Sequence, residues 1–214
     1  MKTLMRIFAV GLVLTFLLFQ QTPDAAWRYG SIGAGCGGLG AKGAGIKSIQ
    51  SGIIGIGTGS ATNTATITSV DTNLAILLLG GWNSGDGSAA PVHTSLALTN
   101  ATTVTGSHPS GNVSDNIRYI VIEYDSGITS IQRGSITINA GSASNTATIS
   151  AITVANAVVI WLGSPLDSGV DPDRANISLA ITNSTTITAT RGCTPGDGGC
   201  DTYGVVVNYQ VVEY

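Results

Sequence analysis

Charge is scarce in this chain. Of 214 residues only 10% are charged, and the formal net charge is −3. Proteins that bind nucleic acid by neutralising phosphates need a basic face, so this balance excludes that class of partner. Histidine and cysteine are scarcer still, with two and three residues. That leaves almost nothing from which to build a His- or Cys-rich metal site or a Ser-His-Asp triad. Aromatics amount to 6%, and all three Phe (Phe8, Phe16, Phe19) and both Met (Met1, Met5) fall in the first 19 residues. Any core beyond that point must therefore be built from Ile, Val, Leu and Ala, with a few Tyr and Trp. A mean hydropathy of +0.32 is too high for a disordered chain. Neither an enzyme nor a cofactor is expected, and the metal-site expectation is likewise none.

Residues 1–26 read as a signal peptide, or as a membrane anchor if they are not cleaved. Lys2 and Arg6 supply a positive start, Ile7 to Phe19 an apolar run shorter than the roughly 20 residues of a membrane span, and Ala25-Ala26 small residues at the cut. Residues 27–45 form a Gly-rich linker without a side-chain pattern to bury. Cys36 within it reads as a free or intermolecular thiol. The expected location is secreted, cell-surface or virion-associated.

The rest of the chain is one unit written twice. Ile46-Lys-Ser-Ile-Gln-Ser-Gly52 returns as Ile128-Thr-Ser-Ile-Gln-Arg-Gly134, and Asn63-Thr-Ala-Thr-Ile67 as Asn145-Thr-Ala-Thr-Ile149, both at an offset of 82. Leu96-Ala-Leu-Thr-Asn-Ala-Thr-Thr-Val-Thr105 returns from Leu179 at an offset of 83, and Ile120-Val-Ile-Glu-Tyr124 as Gln210-Val-Val-Glu-Tyr214 at 90. Matched blocks are expected to be structural elements, and the places where the offset jumps to be loops. The blocks are rich in β-branched Thr and Ile, and several alternate apolar with small polar residues. Ala75 to Leu79 and Ala157 to Leu162 are continuous apolar runs, read as central strands covered on both faces. The expected fold is all-β: two tandem antiparallel β-sandwich units, residues 46–124 and 128–214, preceded by the signal or anchor helix and the tether.

The order Ile-Gln-x-Gly, Asn-Thr-Ala-Thr-Ile, Thr-Asn-x-Thr-Thr-Val/Ile-Thr and a closing Val-Val-Glu-Tyr or Val-Ile-Glu-Tyr resembles a repeat of tailed-bacteriophage and prophage structural proteins, tail-fibre or tip-associated ones above all. The strand order is also faintly similar to H-type lectin sandwiches. The resemblance implies surface binding or assembly and brings no catalytic residue.

The candidate chemistry lies in loops. Trp82 follows Gly80-Gly81 in a stretch that includes Asn83 and Asp86. An aromatic beside such polar groups can stack on a sugar while they take its hydroxyls; the alternative is a ring folded back as a lid on the sandwich. Cys193 and Cys200 flank a short turn and are expected to form a disulfide that stiffens a second loop, with Asp197 inside it. Asp167, Asp171 and Asp173 read as solvated turn residues rather than Ca²⁺ ligands. His93 and His108 have no His counterpart in the second unit. Glu123 and Glu213 close equivalent strands, which suits a structural hydrogen bond better than a glycosidase pair. The expected function is non-catalytic recognition of a glycan or another cell-surface component; the alternative is self-assembly into a trimer, fibre or surface layer through edge strands.

Overall fold

Alternating Ile, Val and Thr lay down short pleated segments, and the computed structural model is all-β accordingly. It describes residues 45–84, 93–108, 114–166, 176–192, 196 and 203–214. The first half contains β1 (Ile46–Ile56), β2 (Thr62–Thr66), β3 (Ala75–Ser84), β4 (His93–Asn100), β5 (Thr103–Ser107) and β6 (Asp115–Tyr124). The second contains β7 (Ser130–Ile138), β8 (Ser144–Thr148), β9 (Ala157–Trp161), β10 (Gly163–Leu166), β11 (Ile177–Asn183), β12 (Thr186–Arg191) and β13 (Val205–Glu213), with one 3-10 turn at Val154–Asn156. Among the described residues all strand pairs are antiparallel, in four sheets ordered β1-β6-β3, β10-β4-β5-β2, β11-β12-β8 and β7-β13-β9. The leader and the loops that carry Cys36, Asp86, Asp167 to Asp173, Cys193, Asp197 and Cys200 lie outside the described residues.

Each half is sandwich-like, with its core between two sheets. In the first, Ile54, Leu77, Ile117 and Val121 of β1-β6-β3 meet Leu96, Leu98 and Val104 of the facing sheet. In the second, Ile136, Ile138, Val207 and Val211 meet Ile187 and Ala189. These aliphatic cores do without Phe or Met.

The repeated motifs encode repeated contacts. Gln50 accepts from the Thr68 N–H (2.7 Å) and donates to the Thr68 carbonyl (2.9 Å); Gln132 does the same at Ser150, at 2.7 and 3.0 Å. Asn63 donates to Gly55 O and Asn145 to Thr137 O, both at 2.7 Å. Gly52 and Gly134 lie opposite Tyr119 and Tyr209. A Cβ at these glycines would stand 2.6 and 2.8 Å from the tyrosine hydroxyl oxygens, so only glycine leaves room for the rings.

The two apolar runs differ from expectation. β3 and β9 stand third in their sheets, and the central strands are β6 and β13. β3 is nonetheless buried on both faces, with Ile76 and Leu77 at 4% and 0% exposure, because the second half covers its outer side. After β9 the chain does not stay in its own sheet. At Gly163 (φ +105°) it turns into β10 and pairs with β4 of the first half. A Cβ at Gly163 would stand 2.1 Å from Thr94 O, so this crossing requires glycine. Leu162, just before it, is buried in the first core, and its carbonyl accepts from Leu96 N at 2.7 Å.

The free edge of β3 is clasped by side chains from the second half. The Gln210 amide accepts from Leu77 N (3.3 Å) and donates to Leu77 O; the Arg133 guanidinium donates to Thr72 O (2.9 Å) and Ala75 O. Asn208 donates to Ser95 Oγ at 3.1 Å. Ile76 and Val212 are buried yet belong to neither core. The two halves form one compact unit.

Candidate functional site

A concavity of the described surface sits where β3 breaks its alternation. Leu79 pairs with Tyr119 and Gly81 with Arg118, so one extra residue, Gly80, bulges out of the ladder just before Gly81, whose φ is +112°. One inserted residue exchanges the two faces of the strand beyond it. Before the bulge Leu77 and Leu79 point to the core. After it Trp82 does, opposite Ile117, and Asn83 comes out beside Asn116.

Trp82 is half-buried against the first core. Its ring lies 5.6 Å from the His93 ring, tilted by 48°, and 6.5 Å edge-on from Trp161. Burial holds the His93 imidazole below its usual pKa, favouring its neutral form. The Trp161 indole donates to Ser164 Oγ at 3.0 Å. Trp82 thus forms the floor and inner wall of the site more than a free stacking platform.

Outside the bulge is a cleft of about 380 Å³, lined by Ile53, the Gly80-Gly81 backbone, Trp82, Asn83, Asn116 and Arg118. Two carboxamides and a guanidinium beside Ile53 and Trp82 can donate to and accept from hydroxyls, and the guanidinium can take a carboxylate. Asn116 and Arg118 escape a reading of the sequence because they look like the polar half of an ordinary strand. Their counterparts in the second half, Val206 and Asn208, are the available signal: the repeat diverges here. So do Ser164 and Pro165 from Trp82 and Asn83, and that corner of the second half joins the first instead.

The other candidates serve the framework. Glu123 accepts from Lys47 Nζ (2.8 Å), Asp71 N (2.8 Å) and Ser48 Oγ (3.1 Å), and Glu213 from Thr153 N (2.7 Å) and Ser130 Oγ (3.1 Å). The Lys47 ammonium first, and the Asp71 N–H next, hold the Glu123 carboxyl below its usual range; the Thr153 N–H does so for Glu213. His108 is 2% exposed, donates from Nε2 to Ser60 O and sets Nδ1 3.1 Å from Asp115 Oδ2. The equivalent in the second half is Arg191, which donates from Nε to Ser142 O at 2.7 Å. His93 and His108 are therefore engaged in packing and closure.

Each half also turns a hydroxyl-rich face outward. Thr64 and Thr105 stand side by side in the first half and Thr146 and Thr188 in the second, flanked by Ala97 and Ala180. Among the described residues no three His, Cys, Asp or Glu side chains gather to hold a metal, and no helix is long and apolar enough to cross a membrane. Compared with family models, curated proteins and solved structures, the chain matches none.

Proposed function

We propose that this chain is a non-catalytic, exported surface-recognition protein made of two tandem antiparallel β-sandwich units on a Gly-rich tether. In this reading residues 1–26 direct export, and the protein acts outside the cell, on a cell surface or on a virion. Its ligand is a glycan or another hydroxyl-bearing cell-surface component. The observation that carries this is the cleft at the Gly81 bulge, where Asn83, Asn116 and Arg118 converge without a structural partner of their own kind in the second half. Sugar sites combine an apolar floor with a few convergent polar groups, and this cleft has both. The resemblance to tail-fibre modules agrees with surface binding. The loops with Asp86 and with Cys193, Asp197 and Cys200 would extend the contact area.

The test is a screen of the purified chain against immobilised glycans and whole bacterial cells. Asn83→Ala and Asn116→Ala are the paired controls, because both side chains are exposed and can be removed without opening the core. Binding by the wild type and at least about tenfold weaker binding by either variant supports the reading; loss of two good hydrogen bonds has that scale. Binding unchanged in both variants removes the cleft from it. Assembly into a fibre or layer is a second reading, favoured by the exposed isoleucines of β1.

A further inference from the structure

The contact between the two halves has two sides. One is the outer face of β7-β13-β9, which presents Arg133, Gln210 and Val212. The other is β3 with its approach: Thr72, Ala75, Ile76 and Leu77. Because the halves are repeats, each side has an equivalent in the other half.

The equivalent of the first side is the outer face of β1-β6-β3. There Ile49 is cross-strand from Ile122 and Ser51 from Ile120, and Ile53 follows. The equivalent of the second side is β9 with its approach, where Val154, Ala157, Val158 and Val159 replace Thr72, Ala75, Ile76 and Leu77. Among the described residues the partner of each equivalent is missing. Ile49 and Ile53 are 60% and 50% exposed, and Val154 and Val158 are 44% and 45% exposed, whereas Ile76 and Val212 in the internal contact are buried. The edge of β9 away from β13 has no strand partner among the described residues. Four of the six large exposed aliphatics among the described residues, Ile49, Ile53, Val154 and Val158, thus lie on the two surfaces that repeat the two sides of the internal contact.

We infer that copies of this chain associate head to tail: the β1-β6-β3 face of one copy covers the β9 edge of the next, as the β7-β13-β9 face covers β3 within each copy. The occupant of each surface is a second copy of this chain, since the internal contact already shows this kind of face lying on this kind of edge. The two surfaces differ, so the contact is heterologous and propagates as an open chain unless its rotation happens to close. At the clasp positions the head face has Ser51 and Ile120 where the internal contact has Arg133 and Gln210. The intermolecular contact lacks those side-chain clasps. It is more apolar and weaker than the internal one, and it dissociates on dilution. This inference does not rest on the ligand reading. It does share Ile53 and the face around Arg118 with the cleft, so a ligand held there competes with association.

Sedimentation velocity of the purified chain over a hundredfold range of concentration tests it. The wild type is expected to grow with concentration beyond a dimer. Ile49→Lys breaks the head and Val158→Lys breaks the tail, and each alone is expected to stay monomeric. Mixed one to one, they keep one intact head and one intact tail between them and are expected to form dimers and nothing larger. A wild type that stays monomeric overturns the inference. So does a single variant that still self-associates, or a mixture that stays monomeric. Both side chains are exposed, and an unshifted thermal melt confirms that each variant folds; Ile53→Lys replaces Ile49→Lys if that melt moves.

Discussion

At the scale of single residues, much of the sequence's repetition is explained by close fit. Gly52 and Gly134 recur because a tyrosine ring lies against each of them. Gly52→Ala or Gly134→Ala is expected to cost about 1–3 kcal/mol, the usual range for forcing a methyl into a filled space. Gly57, with nothing within 4 Å of its would-be Cβ, is the control. Chemical denaturation of the three variants checks this. The buried His108–Asp115 pair makes a sharper case. His108→Ala leaves a carboxyl at 1% exposure without its partner and is expected to cost about 3–5 kcal/mol. Adding Asp115→Asn should recover part of that loss in the same unfolding experiment.

The two closing glutamates give the pH dependence its sign. Both carboxyls titrate below their ordinary 4.5 in the folded chain. Their contribution is therefore fully present above that value and is lost as pH falls through the lower folded values. Urea midpoints measured from pH 7 down to pH 3 should fall at the acid end. In a Glu123→Gln, Glu213→Gln double variant the fall should be shallower. An unchanged slope would mean that these two groups do not govern acid stability.

At the scale of elements, the decisive feature is β10. The second half sends a strand into the first half's sheet and a leucine into its core. Gly163→Ala sets a Cβ against Thr94 O in a positive-φ conformation, and should detach β10 from β4. Leu162→Ala should cost about 2–5 kcal/mol, as a buried leucine does, because the residue fills the first half's core although it belongs to the second. Calorimetry can read this. One cooperative transition is expected for the wild type, and two for Gly163→Ala.

This exchange marks the limit of what could be read from the chain. The repeat offsets place equivalent strands, and the Thr- and Ile-rich blocks identify them as strands, because periodicity and β-branching are local. The partner of a strand is not local. Gly163-Ser-Pro reads as a terminator after an apolar run, and only the three-dimensional neighbour turns it into a crossing. The same holds for the site. Trp82 stands out by type, yet the bulge at Gly81 turns it inward, and Asn116 and Arg118 are brought to it from a strand more than 30 residues away. The useful signal was divergence between repeats: Gln210 against Ile120, Arg133 against Ser51, Arg118 against Asn208. Each of these positions lies on an outer face, where the two halves have different neighbours.

At the scale of the whole molecule, the tandem is more than two beads. One half completes the other, and the cleft lies in the half whose β3 continues past the bulge. In the proposed reading, the ligand cleft and the head of the proposed association share one face of the first half. The measurement that tests the recognition account most directly is amide chemical-shift mapping of the chain with the strongest glycan found in the surface screen. The account predicts perturbations centred on Gly81 to Asn83, Asn116 and Arg118. Perturbations centred on the Thr64–Thr105 or Thr146–Thr188 faces, with the cleft silent, would contradict it.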